Sequence, residues 1–193
     1  MTVYTLFNQT GGGTDPGDGS SYTMGMQFTL STSATLTGIW FYSFSGSGVL
    51  PTACAVYHMT GAGAGSIVSG SQNNSPTWSN TAGNGWVKCS YGSGPTLSAS
   101  TVYKVAVLGT SGFYSLTSHY WDSGAGASGL TSGIITAPNN AGGDGGQDTF
   151  NAGGSLAYPA SSFNAGNYWV DVEVTTAAPA WVPPLVSQRS GLY

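Results

Sequence analysis

Residues 167–174, NYWVDVEV, alternate with a period of two: Tyr168, Val170, Val172 and Val174 share one side, and Trp169, Asp171 and Glu173 share the other. Successive side chains of a strand point to opposite faces, so the segment reads as an antiparallel strand, apolar inside and polar toward water. Residues 22–30, YTMGMQFTL, repeat the pattern with Tyr22, Met24, Met26, Phe28 and Leu30 on one face. Residues 101–108, TVYKVAVL, set Tyr103, Val105 and Val107 opposite Lys104. Weaker alternation marks 3–7, 36–44, 53–59, 86–91 and 113–121. Many short strands between Gly-, Ser-, Asn- and Pro-rich breaks indicate an all-β chain, an antiparallel β-sandwich of jelly-roll or immunoglobulin-like kind.

Two stretches, 61–85 and 122–166, are Gly-rich and too long for ordinary loops in a compact domain. They hold either short strands without a clear signature or surface loops with a task. In 36–44, LTGIWFYSF, both faces are aromatic, so that strand is central or one of its faces meets a partner. The sandwich is expected to span 1–175. Residues 176–193 form a Pro-rich extended tail, because Pro179, Pro183 and Pro184 oppose ladder pairing. Trp181, Val182, Leu185, Val186, Leu192 and Tyr193 give that tail apolar anchors, as a docking arm requires.

Charged residues make up 5% of the 193 positions and Gly fills 31 of them; averages are about 25% charged and about 7% Gly. With 40% hydrophobic and 12% aromatic residues the chain still has the apolar surface to fold. Three basic residues, Lys88, Lys104 and Arg189, cannot form the basic stripe that phosphate binding needs, which excludes nucleic acid and anionic membrane surfaces as partners. No apolar run is long enough to span a bilayer, and the first residues do not read as a signal peptide. A charge-poor surface lacks the usual guard against self-association, which suggests an assembled protein.

Catalytic signals are weak. His58 and His119 are the two candidate imidazole bases, and no Ser sits in a nucleophile elbow. Cys54 and His58 lie about 13 Å apart by the strand rise, too far to share zinc. Asp171 and Glu173, at i and i+2, have a separation suited to glycoside cleavage, but they read more simply as the solvent face of an outer strand. Asp-Gly segments at 15–19 and 142–148 offer oxygen ligands of the kind calcium takes, but neither matches the twelve-residue calcium-loop pattern and both read first as turns. No catalytic residue, metal site or cofactor is therefore expected. Cys54 and Cys89 are either a bridge closing a loop of about 36 residues or two buried thiols. Loop aromatics beside Asn, Ser and Asp suit sugar rings, which pointed to Trp78 and Trp121, with His119 two residues before the latter, as glycan contacts.

Taken in order, MGMQFT at 24–29, LTGIWFY at 36–42, GW at 85–86, TVYKVAV at 101–107 and NYWVDVEV at 167–174 resemble a β-sandwich domain family of unassigned function. It occurs in actinobacterial extracellular proteins, beside carbohydrate-active modules, and in virion proteins of tailed actinobacteriophages. The resemblance covers about residues 3–175 and implies a non-catalytic module. One departure is Ser43-Phe44, where the family pattern usually has a basic residue. The expectation is a non-enzymatic phage virion protein, minor tail or capsid decoration, that binds other virion subunits and itself and possesses a further affinity for host-surface polysaccharide. The alternative is a carbohydrate-binding module of a bacterial extracellular protein.

Overall fold

The computed structural model describes residues 1–14, 18–43, 49–60, 63–79, 85–110, 112, 114–143 and 145–177. The six tail anchors, Trp181 to Tyr193, lie outside the described residues, as do Asp15, Phe44 and Asp144. The described residues form twelve strands in chain order: β1 (Thr2–Tyr4), β2 (Tyr22–Leu30), β3 (Ala34–Tyr42), β4 (Ala53–His58), β5 (Trp78–Ser79), β6 (Trp86–Ser90), β7 (Thr96–Leu97), β8 (Tyr103–Gly109), β9 (Leu130–Ser132), β10 (Ile135–Ala137), β11 (Asp148–Ala152) and β12 (Val170–Thr176). One short 3-10 turn, Asn140–Gly142, is the only helical element among the described residues.

The strands form two six-stranded antiparallel sheets packed as a sandwich. The first runs β1-β12-β3-β6-β5, with β7 also on β3; the second runs β4-β8-β2-β10-β9, with β11 also on β2. Register puts the apolar sides face to face. Val170 opposite Phe41 and Val172 opposite Ile39 line the first sheet's inner side. Met24, Met26 and Phe28, opposite Val107, Val105 and Tyr103, line the second's. The all-β sandwich read from the sequence is the fold observed. β3 is a central strand, between β12 and β6, and on its outer face Trp40 is buried against Glu173 and Lys88.

The boundaries differ where alternation was weakest. Of the 113–121 stretch, the described residues 114–121 hold only isolated bridges, Leu116 to Thr14 and Thr117 to Asn167, before turning at Ser118. The 61–85 stretch contains β5, and 122–166 contains β9, β10 and β11. In NYWVDVEV the strand starts at Val170, because Trp169 has a left-handed backbone (φ 55°) that breaks the alternation.

The larger correction concerns the faces expected to meet water. Asp171 and Glu173 are buried on the first sheet's outer side. Glu173 accepts from Lys88 Nζ at 2.6 Å, Thr37 Oγ1 at 2.9 Å and Trp40 Nε1 at 3.1 Å. Lys104, on the outer side of the second sheet, is fully buried and donates to Thr149 Oγ1 at 2.7 Å and to the Pro159 carbonyl at 3.0 Å. The roof over it is the connection after β11: Leu156 and Tyr158 pack on Ala55, Tyr57 and Ala106. Gly25 leaves room for that roof, since a Cβ there would stand 2.7 Å from the Val105 carbonyl oxygen and 3.0 Å from Pro159. A buried charge is tolerated only when its hydrogen-bonding groups are matched, as these are.

Asp171 has a different task. β1 leaves the ladder after Tyr4, and the next amides would lose their partners. Asp171 takes them: Leu6 N–H donates to Oδ1 at 3.0 Å, Phe7 N–H to Oδ2 at 2.9 Å, and Val172 N–H to Oδ1 at 2.7 Å. Burial pushes this carboxyl up to about 7, against the pull of the Phe7, Leu6 and Val172 amides. Between pH 4 and 7 the folded chain therefore keeps a proton that the unfolded chain has released. Stability from this group is greatest in acid and falls as pH rises through that window. Asp171→Asn, which leaves an NH2 facing one of these N–H groups, is expected to cost about 1–3 kcal/mol in urea unfolding. It is also expected to flatten the decline of stability between pH 4 and 7 by up to about 1.4 kcal/mol per pH unit. Equal slopes in both proteins would show a carboxylate ionised throughout.

Candidate functional site

From the Asp171 clamp the chain passes Gly11–Gly13 to the bridge between Thr14 and Leu116, where two backbone hydrogen bonds (3.2 and 2.9 Å) fix it beside residues 114–117. This places Asp18 against Tyr22, at the start of β2, and against Tyr114. Tyr22 OH donates to Asp18 Oδ2 at 2.8 Å and Tyr114 OH to the same oxygen at 3.1 Å, while Ser20 N–H donates to Oδ1 at 3.0 Å.

Around this carboxylate stand five aromatic rings: Tyr22, Tyr114, Phe150, Phe163 and Tyr168. Tyr22 packs edge-on to both Tyr114 and Phe150 with centroids 5.4 Å apart; Tyr168 lies 5.8 Å from Tyr114 and 6.4 Å from Phe150. Phe163, 50% exposed, stands at the mouth. The pocket is a shallow cavity of about 120 Å³, smaller than most ligand sites, which run to roughly 300–1,000 Å³. Partial burial pulls the Asp18 carboxyl up, but the Ser20 amide and the two phenols outweigh it and hold it below the usual carboxylate range. Tyr168 is pushed up by burial and by Asp148, so its phenol keeps its proton. The site thus presents a fixed anion, phenol groups and apolar ring faces to one small ligand.

The residues singled out from the sequence lie elsewhere. Trp121 is fully buried, 6.2 Å from Phe7 and 4.9 Å from Tyr120 by ring centroids. Its indole N–H approaches the buried Asp148 carboxyl without closing a full hydrogen bond. It has no ring face open to a sugar, which corrects the expectation. His119 is exposed on the turn that leads into Trp121, with Nδ1 3.1 Å from Asp122 Oδ2. Ser123 Oγ also bonds Asp122, at 2.9 Å, so Ser, His and Asp are not in the order a nucleophilic relay requires. Trp78 is half-buried; its Nε1 donates to the Pro51 carbonyl at 2.7 Å, and it lines a wide, shallow groove with Leu50, Thr52, Asn74, Ser75 and Pro76. Asp171 and Glu173, each engaged as described, do not face a common cleft. Among the described residues no group of three or more His, Cys, Asp or Glu is placed to hold a metal ion, and no helix is long and apolar enough to cross a membrane.

A family described as a domain of unknown function (DUF4082) matches residues 8–170. The chain belongs to this family. The DUF4082 match takes in every residue of the Asp18 pocket and ends just before Asp171. Comparison with curated proteins and with solved structures finds no match.

The phenol clamp on Asp18 has a measurable signature. In the Tyr22→Phe, Tyr114→Phe double variant two hydrogen bonds to the carboxylate are gone, and its titration, followed by NMR, is expected to move upward toward about 3.9. An unmoved titration would mean that neither phenol donates to it in solution.

Proposed function

We propose that this chain is a non-enzymatic binding module that holds a neutral sugar ring of a cell-surface polysaccharide in the Asp18 pocket. The observation that carries the reading is one ionised carboxylate set among five aromatic rings at a small open pocket. Sugars offer an apolar face to stack on rings and hydroxyls to donate to a carboxylate. The fixed charge of Asp18 and the chain's net charge of −4 both disfavour uronic or sialic acids. Binding without turnover is the reading because, among the described residues, Asp18 is the one carboxylate lining the pocket, whereas glycoside cleavage ordinarily needs a pair.

The pocket supports the carbohydrate-module reading more directly than the virion reading, whose docking arm lies outside the described residues. Both settings accommodate the same site. On a particle carrying many copies, weak single contacts would add up to firm adhesion. Deleting 178–193 separates the settings, since incorporation into a particle requires the tail while sugar binding does not.

The test is binding of the full chain to a panel of neutral and acidic glycans, followed by titration of the best one. Wild type is expected to bind neutral glycans. Asp18→Asn should weaken affinity about 10- to 100-fold by removing a charged acceptor, and Phe163→Ala should weaken it several-fold. Undiminished binding by both variants, or no binding by wild type, would overturn the proposal.

A further inference from the structure

Cys54 and Cys89 belong to different sheets. Cys54 lies in β4, at the edge of the second sheet, opposite Val107; Cys89 lies in β6, one strand from the edge of the first, opposite Ile39. Both side chains lie in the core between the sheets, and Asn73 joins them: its backbone pairs with that of Cys54 through two hydrogen bonds of 2.9 Å, while its side chain reaches Cys89. Asn73 Nδ2 donates to Cys89 Sγ at 3.5 Å, and the Tyr91 hydroxyl, which donates to the Ser71 carbonyl at 2.6 Å, lies 3.5 Å from Cys54 Sγ. The pair is chemically unequal. The Cys54 thiol, with help from Asn73, brings Cys89 down to about 7 against the effect of burial, while the Cys89 sulfur and burial push Cys54 up. One sulfur is thus ready to attack and the other to resolve.

We propose that Cys54 and Cys89 are an oxidation site, and that a disulfide between them staples the two sheets together. With a small disulfide such as oxidised glutathione as oxidant, the Cys89 thiolate attacks one reagent sulfur and releases one thiolate. Cys54, giving up its proton to solvent, then attacks the Cys89 sulfur and expels the second. Two protein thiols are oxidised by two electrons, and the reagent disulfide is reduced to two thiols. Both cysteines are buried, so the exchange takes place during folding or through local opening of the segment 67–79 that lies along β4 and β6.

The staple has a local consequence. Trp78 is in register with Cys89, and Pro51 and Thr52 run directly into Cys54. The bond therefore ties together the two walls of the Trp78 groove.

The experiment unfolds the full chain in denaturant and refolds it in parallel with oxidised glutathione or with excess dithiothreitol. In the oxidised sample we expect an intact mass lower by two hydrogens, a proteolytic fragment joining Cys54 to Cys89, and no thiol titratable after denaturation. We also expect a Tm higher than in the reduced sample by on the order of 10 °C. Cys89→Ser should abolish the redox dependence of Tm, and the wild-type comparison carries the test even if that variant fails to fold. Two titratable thiols after oxidising refolding, a persistent glutathione adduct in place of the bridge, or a bridge without a change in Tm would each overturn the proposal. None of these readouts depends on sugar binding.

Discussion

The course of residues 5–14 hangs on the buried carboxyl of Asp171. By accepting the Leu6 and Phe7 amides it replaces the ladder partner that β1 loses when it leaves the sheet. That exchange turns the chain out of the first sheet without orphaning backbone donors. Phe7 then becomes the centre of an aromatic cluster, 5.2 Å from Trp169 and 6.1 Å from Trp86 by ring centroids. The path continues past Gly11–Gly13 to the Thr14–Leu116 bridge and ends by presenting Asp18 to Tyr22 and Tyr114. A carboxyl in β12 thus decides where a second carboxyl, far away in sequence, can stand.

The same economy governs the other charges. A protein with 5% charged residues would be expected to keep them in water, yet Lys104, Asp148, Asp171 and Glu173 are buried. Each is held by partners from a distant segment: Lys104 by Thr149 and Pro159, Glu173 by Lys88, Thr37 and Trp40, and Asp148 by the Tyr168 amide at 2.8 Å. These buried ionisable groups therefore fix the positions of loops and of strand ends. They supply little solubility, which falls to hydroxyls and exposed backbone. This division explains how long Gly-rich connections stay closely seated on a small sandwich.

Period-two alternation in NYWVDVEV, YTMGMQFTL and TVYKVAVL was enough to establish the all-β class, because inward positions declare themselves by apolarity. Outward positions do not. A polar residue facing away from the core looks the same in sequence whether water or a covering loop lies beyond it, and so Asp171, Glu173 and Lys104 were assigned to solvent. Trp121 misled for a related reason: a tryptophan among Ser, Asp and Gly reads as exposed until Phe7 and Tyr120 are seen to cover it. The Asp18 pocket had no local signature at all. Its rings come from the start of β2, from β11 and from two loops, and the DPGDG segment that supplies the carboxylate reads as a turn. A cue was present in Tyr22, at the start of β2, and in Tyr168, two residues before β12, but only the fold brings them together.

The central claim is that the Asp18 pocket, and not the Trp78 groove, is the ligand site. An NMR shift map of the isotopically labelled chain, titrated with neutral monosaccharides, tests it most directly. The account predicts saturable changes at Asp18, Tyr22, Tyr114, Phe150, Phe163 and Tyr168, with Trp78 and Asn74 unmoved. Changes centred on Trp78, or on neither site, would contradict it.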